Sequence, residues 1–367
     1  MILLSEFTIK QIFIDNWNNF ITDCSDTLVR PSIFDEVNKI INCGNPAFGY
    51  ALYVCEHCGK FLKVPFRCKS RFCNTCGVKY AQDRALAMAK KSIRCKHRHI
   101  VFTMSDKLWL YFQKYRYLLN GLFEASSKTI LSWFYELNKS QNFKPGIMCT
   151  LHTFGRDLKW NPHIHVLIAE IKLGENNSCQ PWKFFDYDAL SRRFQKILLK
   201  HMSKFLGNEF KKQNNNLYKK YQKGFYVYAE PKKFKDLKSG IEYVTRYCGR
   251  VPISENRIIN YDGQNVTFSY IDHYDDSYHE KTVSAQEFIL MIIRHLPPSQ
   301  FKIIRYYGFY RKKHKIHNKM IPLVKPHCKL FRKQLLKYAV SISMSFNRDP
   351  YNCPKFNTKM NFVLNMY

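Results

Sequence analysis

Acidic residues are scarce in this chain of 367 residues, which has 28 aspartates and glutamates against 59 lysines and arginines. The resulting formal charge of +31 is larger than solubility requires. It predicts a polyanionic partner, either a nucleic acid or an anionic membrane surface. Aromatic residues make up 16% of the chain and favour a nucleic acid, because bases stack on aromatic rings.

The sequence also lacks the segments that mark export or membrane insertion. No apolar run reaches the ~18 residues that a membrane-spanning helix needs. The first residues, MILLSEFTIKQ, have neither the basic start nor the apolar core of a signal peptide. Low-complexity tracts and internal repeats are absent too. With 46% hydrophobic residues, we expect a folded cytoplasmic protein of two or three domains.

Cysteine is abundant and unevenly distributed, with thirteen residues in all and five of them in the stretch 55–76. In a reducing compartment this crowding favours metal binding over disulfides. Two C-x2-C pairs, each followed by a glycine, supply the four soft ligands of a closed tetrahedral zinc site. These four ligands are Cys55, Cys58, Cys73 and Cys76. Cys68 and His57 are spare donors, and either could replace one of the four.

Basic residues surround the two cysteine pairs, among them Lys69 and Arg71. Contact with DNA through these side chains, and through Arg250 later in the chain, is one interpretation. The alternative is that zinc only holds the module together and that the charges form a solvated face.

The stretch 146–170, GIMCTLHTFGRDLKWNPHIHVLIAE, predicts two strands joined by a turn. Side chains alternate along a strand, so His163 and His165 project from the same face. If the two strands pair, His152 lies roughly opposite them. Three imidazoles could then bind one cation, which could polarise a phosphate. The alternative is a half-exposed strand that happens to carry two histidines.

A second candidate for chemistry is the stretch 240–250, GIEYVTRYCGR, which has the spacing of a short helix. Tyr243 and Tyr247 are four residues apart and share one face, with Arg246 and Arg250 on a neighbouring stripe. Such tyrosine pairs are more often core or interface residues. Beside a metal, however, a tyrosine hydroxyl could attack the phosphorus of DNA and leave a 5′-phosphotyrosine and a free 3′-hydroxyl. Because the ordinary pKa of tyrosine is about 10, a metal or a cation such as Arg246 would have to assist its deprotonation.

The remaining patterns give a coarse outline of the fold. We predict helices over 1–45, 78–92, 107–137 and 186–212, a loop at 213–216, and strands over 99–104, 146–154, 162–170 and 225–230. An Asp262-Gly263 turn predicts a hairpin, and Ser284 with Glu287 predicts a capped helix start. The expected units are a helical segment 1–45, a zinc module 46–95, a catalytic domain 96–295 and a basic region 296–367.

Four separated segments resemble the sequence motifs of one protein family, and they occur in the same order as in that family. They are CKSRFCNTCG, PHIHVLI, YVTRYCGRVPIS and IIRYYGFYRKKHK. The chain resembles the two-tyrosine HUH transposases of rolling-circle insertion sequences, the family numbered ninety-one, which carry an N-terminal zinc domain. The resemblance covers almost the whole chain, with Asn74 where the family's zinc signature usually has proline.

The resemblance implies an α+β fold, with a central antiparallel sheet flanked by helices. It implies nicking and strand transfer on single-stranded ends of the element's own DNA, with magnesium or manganese as the catalytic ion, in a protein associated with the bacterial or archaeal nucleoid. Tyr243 and Tyr247 would be the nucleophiles, and His163 and His165 would be metal ligands. A third ligand often comes from elsewhere in this family; His152 is our choice on the hairpin geometry, and His99 is the alternative.

One departure concerns the segment NRDPYNCPKF, which resembles a further cysteine knuckle with Phe356 where a second cysteine is expected. We therefore expect Cys353 to be unpaired and to bind no metal. Rival functions are a plasmid or phage replication initiator with the same chemistry, and a zinc-containing DNA-binding regulator without chemistry. Binding to a membrane surface is a more distant alternative.

Overall fold

In the part of the chain that the computed structural model describes, three antiparallel sheets with helices packed on them form an α+β fold. The structure describes residues 6–23, 29–93, 95–139, 142–174, 178–229, 251–272, 275–311, 349 and 351–367. The α+β class predicted from the sequence is confirmed. None of the helices in these residues is long and apolar enough to cross a membrane.

The helices, numbered in chain order, are α1 Ile9–Asp23, α2 Pro31–Ile41, α3 Asn74–Lys91, α4 Trp109–Lys114, α5 Leu118–Leu137, α6 Tyr187–Leu206, α7 Lys211–Lys220 and α8 Ala285–Ile293. The strands are β1 Tyr50–Val54, β2 Phe61–Pro65, β3 His97–Phe102, β4 Lys144–Phe154, β5 Trp160–Leu173, β6 Cys179–Pro181, β7 Val227–Tyr228, β8 Ile258–Tyr261, β9 Asn265–Ile271, β10 Tyr278–Ser284, β11 Ile304–Gly308 and β12 Asn361–Met366.

The central sheet has the strand order β11-β4-β5-β3-β7, with β6 pairing at the far end of β5. Its two faces are covered differently. One face buries Ile147, Cys149, Ile164 and Val166 against the aromatic-rich helices α4, α5 and α6. The other face packs Met148, Leu167 and Ala169 against Met88 of α3 and the rings of Phe309 and Tyr310. The histidines of β4 and β5 belong to this second face by strand alternation.

The N-terminal helices α1 and α2 pack on the sheet β10-β9-β8 and on α8, which lie more than 200 residues later in sequence. Ile9 N–H donates to the Glu255 carboxylate at 3.1 Å, and Arg30 donates to the carbonyl of Leu296 at 2.6 Å. The helical cap expected from the sequence therefore packs on the segment 251–296 as well as on the cysteine-rich loop.

The predicted helix start at Ser284 and the predicted turn at Asp262-Gly263 agree with the structure, whereas the predicted helix 107–137 is divided into α4 and α5. Ser284 caps α8 by accepting a hydrogen bond from Glu287 N–H at 3.1 Å, and Asp262 accepts from two backbone N–H groups in the β8–β9 turn. The predicted loop at 213–216 is wrong, because it lies inside α7, where Leu217 is buried. The predicted strand 225–230 is shorter, with only Val227 and Tyr228 pairing with β3.

Candidate functional site

Three histidines converge on the second face of the central sheet. His152 on β4 lies directly opposite His163 on β5, and His165 follows two residues later on the same face. The three side chains each offer a ring nitrogen, and these nitrogens lie within 4.8 Å of one another. The ring centroids of His152 and His165 are 4.5 Å apart. The convergence predicted from the hairpin geometry is therefore present, and we call these three residues the histidine cluster.

His99 does not join the histidine cluster but supports it from β3. Its Nε2 lies 2.8 Å from Nδ1 of His165, and the two rings are parallel. If His165 donates from Nδ1 to His99, the buried Nε2 of His165 keeps its lone pair and can bind a metal; the reverse tautomer would protonate that Nε2. Likewise Nδ1 of His163 lies 2.6 Å from the carbonyl of Asn161, which fixes its Nδ1–H and frees its Nε2.

Burial keeps the imidazole rings of His99 and His165 neutral. Desolvation, with the neighbouring His163 as a smaller cause, lowers the pKa of His99 to about 4. Desolvation and the surrounding histidines hold the pKa of His165 well below its ordinary value. Because only a neutral imidazole ligates a metal, this environment favours metal binding at neutral pH.

The predicted nucleophiles Tyr243 and Tyr247, together with Arg246 and Arg250, lie outside the described residues, in the segment 230–250. The predicted helix over this segment is likewise outside them. On its N-terminal side, the described chain includes Tyr228, which pairs with Val101 of β3, and Val101 in turn pairs with His165.

Within the described residues, the cysteines form two separate clusters. The first cluster contains four thiols whose sulfur atoms lie within 4.8 Å of one another: Cys43, Cys68, Cys73 and Cys76. The second cluster contains three: Cys55, Cys58 and Cys353. The single site predicted from the two C-x2-C pairs is therefore not formed, because each pair joins a different cluster.

The first cluster is built where α2 ends and α3 begins. Cys73 immediately precedes α3 and Cys76 lies in its first turn, where Gly77 N–H donates to the carbonyl of Cys73 at 2.6 Å. Cys43 follows α2, and its sulfur lies 3.6 Å from that of Cys76 and 3.7 Å from that of Cys73. Tetrahedral zinc with Zn–S bonds of ~2.3 Å places its sulfurs about 3.8 Å apart, so the spacing fits a bound zinc ion.

The electrostatics of the first cluster also suit a metal. Hydrogen bonds from Cys68, Cys73 and Cys76 lower the pKa of the Cys43 thiol far below its ordinary value. Hydrogen bonds with Cys43, Cys73 and Cys76, together with burial, raise the pKa of Cys68. A zinc ion bound by these four sulfurs would replace the thiol protons and neutralise the thiolate charge.

The C-x2-C spacing does not reveal Cys43 as a ligand and leaves Cys68 as a spare donor. A usable signal was present, since Cys43 precedes Gly44 just as Cys58 precedes Gly59. Gly44 has a positive φ of 74° and donates to the carbonyl of Phe66 at 3.3 Å, which turns the chain at the end of α2.

Cys353 contradicts the expectation that it is unpaired, because its sulfur lies 3.8 Å from that of Cys58. The two candidate DNA contacts in this module differ in exposure. Lys69 is exposed, whereas the Arg71 guanidinium stacks over the Phe72 ring at 4.5 Å, and burial lowers its pKa to about 10.

Comparison with known proteins identifies the family. Residues 146–317 match a family described as "Putative transposase", and residues 12–104 match a family described as "Transposase zinc-binding domain". The transposase for insertion sequence element IS801 of Pseudomonas savastanoi pv. phaseolicola is 26% identical over 349 residues, which cover 89% of this chain and 82% of that protein. The chain belongs to the IS91-family transposases.

A second relative of this transposase is the "Putative transposase y4qJ" of Sinorhizobium fredii (strain NBRC 101917 / NGR234). It is 27% identical over 291 residues, covering 73% of this chain and 71% of the relative. No solved structure matches the chain. The transposase is thus a DNA-processing enzyme of a mobile element, with DNA as its partner and an N-terminal domain that binds structural zinc.

Proposed function

We propose that this transposase nicks and rejoins single-stranded DNA at the ends of its own element, with a divalent cation at the histidine cluster and a tyrosine as the nucleophile. The observation that carries the proposal is the convergence of His152, His163 and His165 within 4.8 Å. The chemistry is that of a metal-dependent HUH endonuclease and strand transferase.

The donor set suits manganese better than magnesium. Imidazole nitrogen is a ligand of intermediate softness, whereas magnesium prefers oxygen donors and keeps its waters. Three protein ligands leave coordination positions open for phosphate oxygens, and a cation held there supplies Lewis-acid polarisation of the phosphate. His99 acts as a positioning residue, since it orients the ring of His165.

The covalent step is balanced without any co-reactant. The hydroxyl oxygen of Tyr243 or Tyr247 forms a bond to phosphorus as the bond from phosphorus to the 3′-oxygen breaks. The tyrosine proton leaves with assistance from Arg246 and the cation, and the departing 3′-oxygen takes up a proton. The phosphotyrosine conserves the energy of the phosphodiester, so a later 3′-hydroxyl can rejoin the strand without ATP. A second tyrosine on the same helix face would hold a second strand before the first is released.

In the zinc-binding domain, we assign the structural zinc to the first cluster. Cys43, Cys68, Cys73 and Cys76 offer four sulfurs, three of them buried, and four thiolate ligands with no open position are typical of a structural zinc rather than a catalytic one. Its binding free energy, on the order of 10 kcal/mol, would largely be folding energy of the module. Lys69 beside it is our candidate for a phosphate contact.

An adduct assay tests the catalytic proposal. The purified protein is incubated with labelled single-stranded oligonucleotides from both flanks of its own gene, with manganese, and run on a denaturing gel. We expect a covalent band that is weakened in Tyr243→Phe or Tyr247→Phe and lost in the double variant. Tyr278→Phe is the matched control, because Tyr278 is an exposed tyrosine on β10 and should leave the band unchanged.

The metal part of the proposal is tested separately with His163→Ala. We expect adduct formation to fall by at least a hundredfold at fixed manganese, while binding of the same oligonucleotide changes little. Unchanged adduct formation in this variant would remove the histidine cluster from catalysis. Tight binding with no adduct in the wild-type protein would instead favour a DNA-binding protein without chemistry.

A further inference from the structure

The second cluster is built from two backbone turns with the same hydrogen-bond pattern. In the first turn, Gly59 N–H donates to the carbonyl of Cys55 at 2.7 Å, and Cys55 N–H donates to the carbonyl of Lys60 at 3.0 Å. In the second turn, Asn357 N–H donates to the carbonyl of Cys353 at 2.8 Å, and Cys353 N–H donates to Thr358 at 2.8 Å. The two turns therefore have the same backbone structure. Each begins at a cysteine and is closed by a hydrogen bond from the residue four positions later.

The closing residues share a backbone conformation that few side chains adopt. Gly59 has a φ of 65°, and Asn357 has a φ of 54°. Asparagine is the residue that best replaces glycine at positive φ. The position just before the closing residue is Cys58 in the first turn and Phe356 in the second. Phe356 thus occupies the position in the second turn that corresponds to Cys58 in the first, where a cysteine would supply a fourth sulfur.

The three sulfurs that are present have metal-binding geometry. They lie within 4.8 Å of one another, and the contact between Cys58 and Cys353, at 3.8 Å, has the spacing of two sulfurs on one tetrahedral zinc ion. Cys55 and Cys353 are buried. The Phe356 ring packs edge-on against His57 with centroids 4.7 Å apart, and Cys58 is exposed, so the cluster is open to water on the side of Cys58.

We propose that Cys55, Cys58 and Cys353 form a second zinc site with only three protein ligands, whose fourth position is taken by an exchangeable water because Phe356 replaces a cysteine. The site joins β12 to the hairpin of β1 and β2, since Cys353 precedes β12 and the other two ligands form the turn of that hairpin. It is more labile than the first cluster, because one of its four positions lacks a thiolate and lies open to solvent.

Metal counting tests whether the site exists. Zinc per chain is measured by mass spectrometry in full-length protein that also carries His163→Ala, so that the histidine cluster adds no zinc. We expect two zinc ions per chain, one after Cys353→Ser, and two after Cys179→Ser, which changes an exposed cysteine outside both clusters. One zinc ion per chain before and after Cys353→Ser would overturn the proposal.

Adding a cysteine at position 356 of the second cluster tests whether the zinc site lacks a fourth protein ligand. Zinc release to excess chelator should be biphasic in the His163→Ala protein, with one fast and one slow ion. Phe356→Cys should slow the fast phase at least tenfold, because a fourth thiolate closes the site. This variant adds a ligand rather than removing one, so its result does not depend on a damaged fold. A fast phase unchanged by Phe356→Cys, or one further accelerated by His57→Ala, would refute the three-ligand site.

Discussion

In the metal site that we propose at the histidine cluster, His99 would act without touching the metal. Its Nε2 is within hydrogen-bond distance of Nδ1 of His165, and this contact decides which nitrogen of His165 is free. Partners of this kind fix the tautomer and orientation of a ligating histidine, and their removal costs roughly 10–100-fold in metal affinity.

The prediction is that His99→Leu weakens manganese binding by roughly 10–100-fold, because the leucine side chain cannot accept a hydrogen bond from Nδ1 of His165. His99→Gln should recover most of the loss, since its amide oxygen can take the place of Nε2. Manganese titration followed by electron paramagnetic resonance measures both affinities. Equal losses in the two variants would show that His99 serves packing and not orientation.

A second residue-scale prediction concerns His295, which is buried beside Thr153 and the carbonyl of Leu158. Burial lowers its pKa to about 3, against an ordinary value of 6.5. Because the unfolded chain binds a proton below pH 6.5 and the folded chain does not until about pH 3, this group's contribution to stability is complete above pH 6.5 and is lost as the pH falls through that window.

We expect the pH dependence of the free energy of unfolding between pH 6 and 4 to be shallower in His295→Gln by about 1.4 kcal/mol per pH unit, the value for one proton. Urea unfolding at several pH values measures the slope. A His295→Gln slope equal to that of the wild type would mean that His295 is protonated in the folded state.

At the scale of elements, the first turn of α3 sits closely against the cysteine-rich loop. A Cβ on Gly77 would lie 2.7 Å from the backbone oxygen of Arg71 and 2.7 Å from a methyl group of Val251. The oxygen belongs to the loop between Cys68 and Cys73, so it cannot move without shifting the ligands of the first cluster.

Gly77→Ala should therefore destabilise the transposase by about 1–3 kcal/mol, although alanine favours helix in an open position. It should also speed zinc release from the first cluster. Thermal unfolding and chelator-induced release give the two readouts. Gly263→Ala is the comparison, since no atom lies within 4 Å of its added Cβ and only its positive φ opposes the change. Stability and zinc release both unaltered in Gly77→Ala would contradict the close packing.

The histidine hairpin of β4 and β5 could be predicted from the sequence, whereas the grouping of the cysteines into two clusters could not. The His-x-His strand and its partner were predictable because β4 and β5 are joined by a short turn, which fixes the register of His152 opposite His163. The grouping of the cysteines was not, because spacing within a C-x2-C pair says nothing about which distant thiol completes the site. Cys58 meets Cys353 across 295 residues, and only the tertiary fold sets that contact.

The charge of +31 belongs to the scale of the whole molecule. Binding of single-stranded DNA through phosphate contacts releases counterions, so the association constant should fall steeply with salt. Each lost contact should reduce the slope of log K against log salt by roughly 0.7.

Lys69→Gln should reduce this slope by roughly 0.7, the value for one phosphate contact. Lys39→Gln should leave the slope unchanged, because Lys39 is already paired with Glu36 at 2.9 Å. Fluorescence anisotropy with a labelled single-stranded oligonucleotide at several salt concentrations measures both slopes. Identical slopes for the two variants would remove Lys69 from the DNA interface.

The pairing of β1 with β12 has a consequence for synthesis on the ribosome. Cys55 and Cys58 leave the exit tunnel long before Cys353 is translated, and at about 5–20 residues per second the interval is roughly 15–60 seconds. Throughout that time one edge of β1 is open, and an open edge invites pairing with strands of other nascent chains. Slow translation in the last third of the message would therefore lower the yield of soluble transposase, and a chaperone that covers β1 would restore it.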